Sequence, residues 1–159
     1  MATDLTCTPD LVMLNLEAAQ GEDAIAQLGS KLVAAGFATP AYVEGVINRE
    51  RSFPTAIEFP TCNVAIPHGE PDEVIASAVA VGLCRPPVPF HLMNDFDKTA
   101  NVSLVVMLAV KHPEAHLEVL SRIINALSDE ATCQSLLKAQ DKALVARILE
   151  SITKEVPCA

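Results

Sequence analysis

The sequence predicts an α/β sandwich, a mixed β-sheet with α-helices on both faces, and three observations support that expectation. The order of patterns is strand, helix pair, several strands and then a helical tail. Two segments, EVIASAVAVGLCR at 73–85 and NVSLVVMLAV at 101–110, are apolar nearly throughout, as strands are when helices cover both faces of their sheet. From residue 113 onward the hydrophobic period is helical. With 159 residues, half of them hydrophobic, and no internal repeat, low-complexity tract or linker, one domain over 1–159 is expected, its core spanning about residues 8–153.

Each element follows from local chemistry. LVMLNLEA at 11–18 alternates in the manner of a strand. In GEDAIAQLGSKLVAAGFA the apolar positions Ile25, Leu28, Leu32 and Val33 have helical spacing, with Gly36 as the C-terminal cap. Thr39 and Pro40 form an N-cap and first helical residue for a second helix that must stop before Pro54, which puts Arg49 near its end. Pro54 and Pro60 make the next stretch a loop, and NVAIPH at 63–68 resumes as a short strand. PPVPFHLMNDFDKTA at 86–100 is expected as an edge strand or loop, because its prolines cannot donate to a sheet ladder. Pro113 opens a helix whose apolar stripe is read as Leu117, Leu120, Ile124 and Leu127, and two short helices follow.

Composition excludes several functions. Eleven basic against twenty acidic residues give a net charge of −9, which leaves no basic patch for a nucleic-acid backbone. The N-terminus lacks the pattern of a signal peptide and the longest apolar run is too short to cross a bilayer, so a cytoplasmic protein without membrane insertion is expected. Five cysteines, an odd number, widely spaced and without a C-x-x-C pair, argue for small buried or surface thiols in a reducing compartment and against a disulfide framework or a zinc ribbon. The G-x-S-x-G, G-x-x-x-x-G-K-[ST] and G-x-G-x-x-G motifs are all missing, so neither a serine elbow nor a nucleotide cradle is available. HPEAH at 112–116 is a poor match to a zincin, since the glutamate is one place late and Pro113 leaves His112 outside the helix.

What remains is His68. It ends an apolar strand between Pro67 and Gly69, where a rigid sheet gives way to a turn. A neutral imidazole there has one ring nitrogen with a free lone pair while the other can be fixed by a hydrogen bond, so it can serve as nucleophile, general base or metal ligand. Without metal or nucleotide motifs, covalent catalysis through a phosphorylated imidazole fits.

The run RERSFPTAIEFPTCNVAIPHG at 49–69, with its R-E pair, its FPT and its closing AIPH, resembles the active-site region of the fructose- and mannitol-type enzyme IIA proteins of the bacterial sugar phosphotransferase system. Together with VPFHLMNDFDKTANVSLVVMLAVKHPEAHLEVL downstream, it is most similar to the galactitol-specific branch, and the likeness covers roughly residues 8–150. The resemblance implies a mannitol-type enzyme IIA fold and a cofactor-free phosphocarrier. In it, His68 takes a phosphoryl group from the carrier protein HPr and passes it to a cysteine of enzyme IIB, which serves the membrane permease IIC. It further implies that Arg49 binds the phosphoryl group, that the Thr55 hydroxyl hydrogen-bonds the ring or the phosphoryl oxygens, and that His116, in the first turn of its helix, steers those oxygens or fixes the His68 ring. Ala56 departs from the glycine common after P-T in the family. The rival expectation is an enzyme IIA-like regulatory module that signals through protein partners. Phe53, Ile57, Phe59 and Ile66 are the candidates for an apolar docking patch around the site.

Overall fold

The computed structural model describes residues 5–154. Its elements are β1 (Val12–Leu16), α1 (Gly21–Ala34), α2 (Pro40–Ser52), β2 (Ala56–Glu58), β3 (Asn63–Ala65), β4 (Ala78–Leu92), β5 (Asp95–Ala109), α3 (Pro113–Leu127), α4 (Glu130–Leu137) and α5 (Lys142–Thr153), with single 3-10 turns at Pro9–Leu11 and Pro71–Glu73. The five strands form one mixed sheet in the order β1-β4-β2-β3-β5, with β4 and β5 also paired along their length as an antiparallel hairpin.

Strict alternation along the two long strands builds the layers. Ala78, Ala80, Val105 and Met107 face one core with Ile25, Leu28 and Leu32 of α1 and Tyr42 and Val46 of α2. Val79, Val81, Leu83, Leu104, Val106 and Leu108 face the other, against Val119 and Ile123 of α3 and Val145 and Leu149 of α5. Helices therefore cover both sheet faces, as the unbroken apolar runs require.

The helix ends obey local rules. Gly36 has φ +85°, the N–H of Phe37 bonds the carbonyl of Leu32 at 2.9 Å, and the N–H of Gly36 bonds that of Val33 at 3.0 Å, the paired closure of a left-handed C-terminal cap. Thr39 caps α2 by accepting from the N–H of Tyr42.

Two expectations need correction. Residues 86–100 are neither a separate edge strand nor a loop: they are the far half of the β4–β5 hairpin, turned at Met93 and Asn94. The prolines are tolerated because β1 pairs with β4 only as far as Cys84, β2 pairs with it only at Leu92 and the β5 register is irregular between Leu83 and Val88, so Pro86, Pro87 and Pro89 lie in a stretch open on one side, where a missing donor costs least. In α3 the buried stripe is Ala115, Val119, Ile123 and Leu127, while Leu120 and Ile124 are half-buried beside it and Leu117 is 79% exposed. Both stripes have helical period, and the neighbouring sheet decides which one it covers. The described cysteines are free thiols, and the sulfurs of Cys62 and Cys133 lie 2.7 Å apart. Cys158 falls outside the described residues.

Candidate functional site

β3 and β5 run parallel, and their C-terminal ends open side by side into the His68 loop and the turn into α3. Ligands collect at such ends because rigid strands present several loops to one point. The His68 loop is held at each residue. The Pro67 carbonyl accepts from the N–H of Leu108 at 2.9 Å. The N–H of Gly69 donates to the Tyr42 hydroxyl at 3.1 Å, and that hydroxyl donates in turn to the Leu108 carbonyl. A Cβ on residue 69 would lie 3.1 Å from a Val46 methyl, so glycine lets this loop lie close against α2.

His68 is half-buried, with Nδ1 2.8 Å from the carbonyl of Ile66. A carbonyl can only accept, so Nδ1 carries the hydrogen and Nε2 keeps its lone pair. Burial pulls the His68 pKa down to about 4; the Ile66 bond opposes that shift, and the nearby His116 and Arg49 add to it. The ring is thus neutral at pH 7, with the Nε2 lone pair available.

The His116 ring packs against it, with centroids 4.6 Å apart and planes inclined by 52°. His116 lies in the first turn of α3, just past Pro113, and His112 is that helix's N-cap, outside the helix as its spacing with Pro113 implies. Burial lowers the His116 pKa and Arg49 lowers it further, against an opposing pull from Glu70. Arg49 reaches the same place from the last turn of α2, and a cavity of about 190 Å³ is lined by Arg49, His68, Gly69, Glu70, Val110 and His116 among others. The guanidinium lies 5.3 Å from the centre of the Phe53 ring. Its Nε is buried without a hydrogen-bond partner among the described residues. An unmatched guanidinium N–H beside a nucleophilic imidazole suits a tetrahedral oxyanion, which would supply the missing acceptor.

His68, His116 and Arg49 are therefore brought together. Thr55 is placed differently. It is 3% exposed, its hydroxyl donates to Glu50 Oε1 at 2.9 Å and accepts from the N–H of Ile66 at 3.1 Å, so it lies under the His68 loop and meets neither the ring nor the cavity. Leaving that Ile66 N–H unmatched would cost about 1–3 kcal/mol. Glu50, the acidic half of the R-E pair, and Tyr42, the only tyrosine of the sequence, are not among the residues expected at the site. An acidic side chain one residue after the candidate arginine, just ahead of a proline turn, was the available signal. Of the proposed apolar rim, Phe53 is 57% exposed, Ile57 and Phe59 are half-buried against the α3–α5 core, and Ile66 belongs wholly to that core. Leu117, next to His116, supplies an exposed apolar side chain that the expected stripe had hidden.

Fold and site together define a class: an α/β/α sandwich that holds one neutral imidazole at its strand ends, beside a second imidazole and a guanidinium. The chain belongs to the family described as "Phosphoenolpyruvate-dependent sugar phosphotransferase system, EIIA 2", whose model matches residues 6–152. It is 33% identical over 152 residues to the mannitol-specific EIICBA component of Pasteurella multocida, covering 94% of this chain but only 23% of that protein, so it spans about a quarter of the mannitol relative's length. It is 28% identical over 123 residues to the galactitol-specific EIIA component of Escherichia coli, covering 77% of this chain and 81% of that one. Among solved structures it is similar to a chain in the complex of enzyme IIAMTL and phosphorylated enzyme IIBMTL from Escherichia coli, with TM-score 0.73, 27% identity, and coverage of 92% and 99% of the two chains. No helix among the described residues is long and apolar enough to cross a membrane.

Proposed function

We propose that the protein is a phosphocarrier: His68 Nε2 accepts the phosphoryl group of phospho-HPr and passes it to the cysteine of an enzyme IIB, for delivery through a IIC permease to galactitol or a related polyol. The observation that carries the reading is the His68 ring itself, tied at Nδ1, without a protein partner at Nε2 among the described residues, neutral at pH 7, and lining one cavity with Arg49 and His116. The transfer is an in-line displacement between nitrogen and nitrogen, then nitrogen and sulfur, in which positioning and charge do the catalysis. Arg49 binds the equatorial oxygens through its planar donors, and His116 lies where its ring reaches the same oxygens from the N-terminal turn of α3. The kinship to galactitol- and mannitol-specific components supports a hexitol as the eventual acceptor.

Intact mass spectrometry at alkaline pH, after incubation with phosphoenolpyruvate, enzyme I and HPr, tests this directly, since a phosphorus–nitrogen bond is acid-labile. One phosphoryl mass gain is expected, absent in His68→Ala. No gain in the wild type would end the reading, and a gain that no enzyme IIB can discharge would turn it into a regulatory module.

A further inference from the structure

Glu50 is the one carboxylate among the buried residues of the described chain, 9% exposed in the last turn of α2, and it does not reach the His68 ring. Both of its oxygens are engaged by a single residue: Oε2 accepts the N–H of Thr55 at 2.8 Å and Oε1 accepts the Thr55 hydroxyl at 2.9 Å. A carboxylate only accepts, so the hydroxyl proton must point at Glu50, which leaves an oxygen lone pair for the N–H of Ile66 at 3.1 Å. Ile66 is thereby held at its N–H, and its own carbonyl takes the Nδ1–H of His68 at 2.8 Å. Every donor in this series points toward Glu50; because the N–H and the carbonyl of Ile66 belong to different peptide units, what the series transmits to the His68 ring is position, through the placement of the Ile66 backbone.

We propose that Glu50 is a positioning residue for His68, acting through Thr55 and Ile66 to hold the tautomer and ring orientation that leave Nε2 free. The proposal deepens the phosphocarrier reading and rests on it for the rate measurements alone. A carboxylate that only capped the α2–β2 turn would support the fold equally well, but it would have no influence on where the imidazole proton resides. Burial raises the Glu50 pKa above the usual carboxylate range, and the two Thr55 bonds, Arg49 and His91 oppose that rise.

The test uses the full chain carrying Glu50→Gln, Thr55→Val, their double variant and Thr55→Ser, each first checked for a dispersed backbone NMR spectrum. Long-range proton–nitrogen spectra of the histidine rings report the His68 tautomer, and single-turnover transfer from phospho-HPr separates kcat from KM. Glu50→Gln and Thr55→Val are expected to give mixed tautomers and to lower kcat by roughly tenfold to hundredfold at unchanged KM, the scale that small misplacement of a reacting group produces. Thr55→Ser, which keeps the hydroxyl, restores both. The double variant is no worse than the poorer single one, because both act through one chain of bonds. Folded variants with the wild-type tautomer and wild-type kcat would overturn the proposal. A wild type that takes no phosphoryl group would instead sink the phosphocarrier reading, and the tautomer would still decide the role of Glu50.

Discussion

The two sides of the His68 ring differ in kind. Beneath it, Thr55, Ile66, Pro67, Tyr42 and Leu108 are buried, and the loop's polar groups are matched to partners within the fold. Above it, Arg49 keeps an unmatched N–H, and Phe53 and Leu117 present apolar surface to solvent. The underside fixes one atom in space; the outer side is left for a charged group and a visiting surface. The proposed phosphocarrier function, with two partners in turn, calls for that division, because the proposed nucleophile must not move while the rim fits different faces.

The comparison is broken most severely at Arg49. Arg49→Lys keeps the charge but loses the planar fork of donors, and is expected to slow phosphoryl transfer roughly hundredfold while leaving thermal stability near that of the wild type. Equal rates for lysine and arginine would show that charge alone suffices. The rim comes next. Phe53→Ser with Leu117→Ser removes side chains that are 57% and 79% exposed. The pair is expected to raise KM for the phosphoryl donor by about tenfold with kcat unchanged, the scale of burying such side chains on docking. A fall in kcat at constant KM would place these residues in the transfer step. With a net charge of −9, docking on a basic partner face should also weaken as salt rises, read as KM against ionic strength.

The smallest effect sharpens the underside. With its pKa pulled from the ordinary 6.5 to about 4, His68 should show no change of ring charge by NMR between pH 8 and 5. The folded value lies below the unfolded one. Its contribution to stability is therefore fully present above about 6.5 and is lost as pH falls toward and through about 4. Titration of His68 near 6.5 would mean that the ring is solvated and the underside looser than drawn.

How much of this was legible follows from how local each signal is. The ends of α1 and α2 could be read because Gly36 and Thr39-Pro40 cap through their own backbone chemistry. The motif singled out His68 and Arg49, which the fold brings to one cavity. The prolines at 86, 87 and 89 pointed correctly to an edge but hid that the edge is half of a 15-residue strand, because pairing to β5 is set by distant residues. Leu117 was assigned to the core for the same reason: helical period alone does not say where the sheet lies. Thr55 and Glu50 show the limit most clearly. Their motif marks them, yet whether a hydroxyl faces the ring or lies beneath the loop is decided by a contact to Ile66, eleven residues away.

The most direct test of the central claim is to ask which atom carries the phosphorus. Nitrogen-15 histidine spectra of the freshly phosphorylated protein, at alkaline pH, are expected to place it on Nε2 of His68, with Nδ1 still protonated toward Ile66. Phosphorus on Nδ1, or on any other residue, would contradict the account, because the hydrogen bond that defines the site would then have to break for the protein to work.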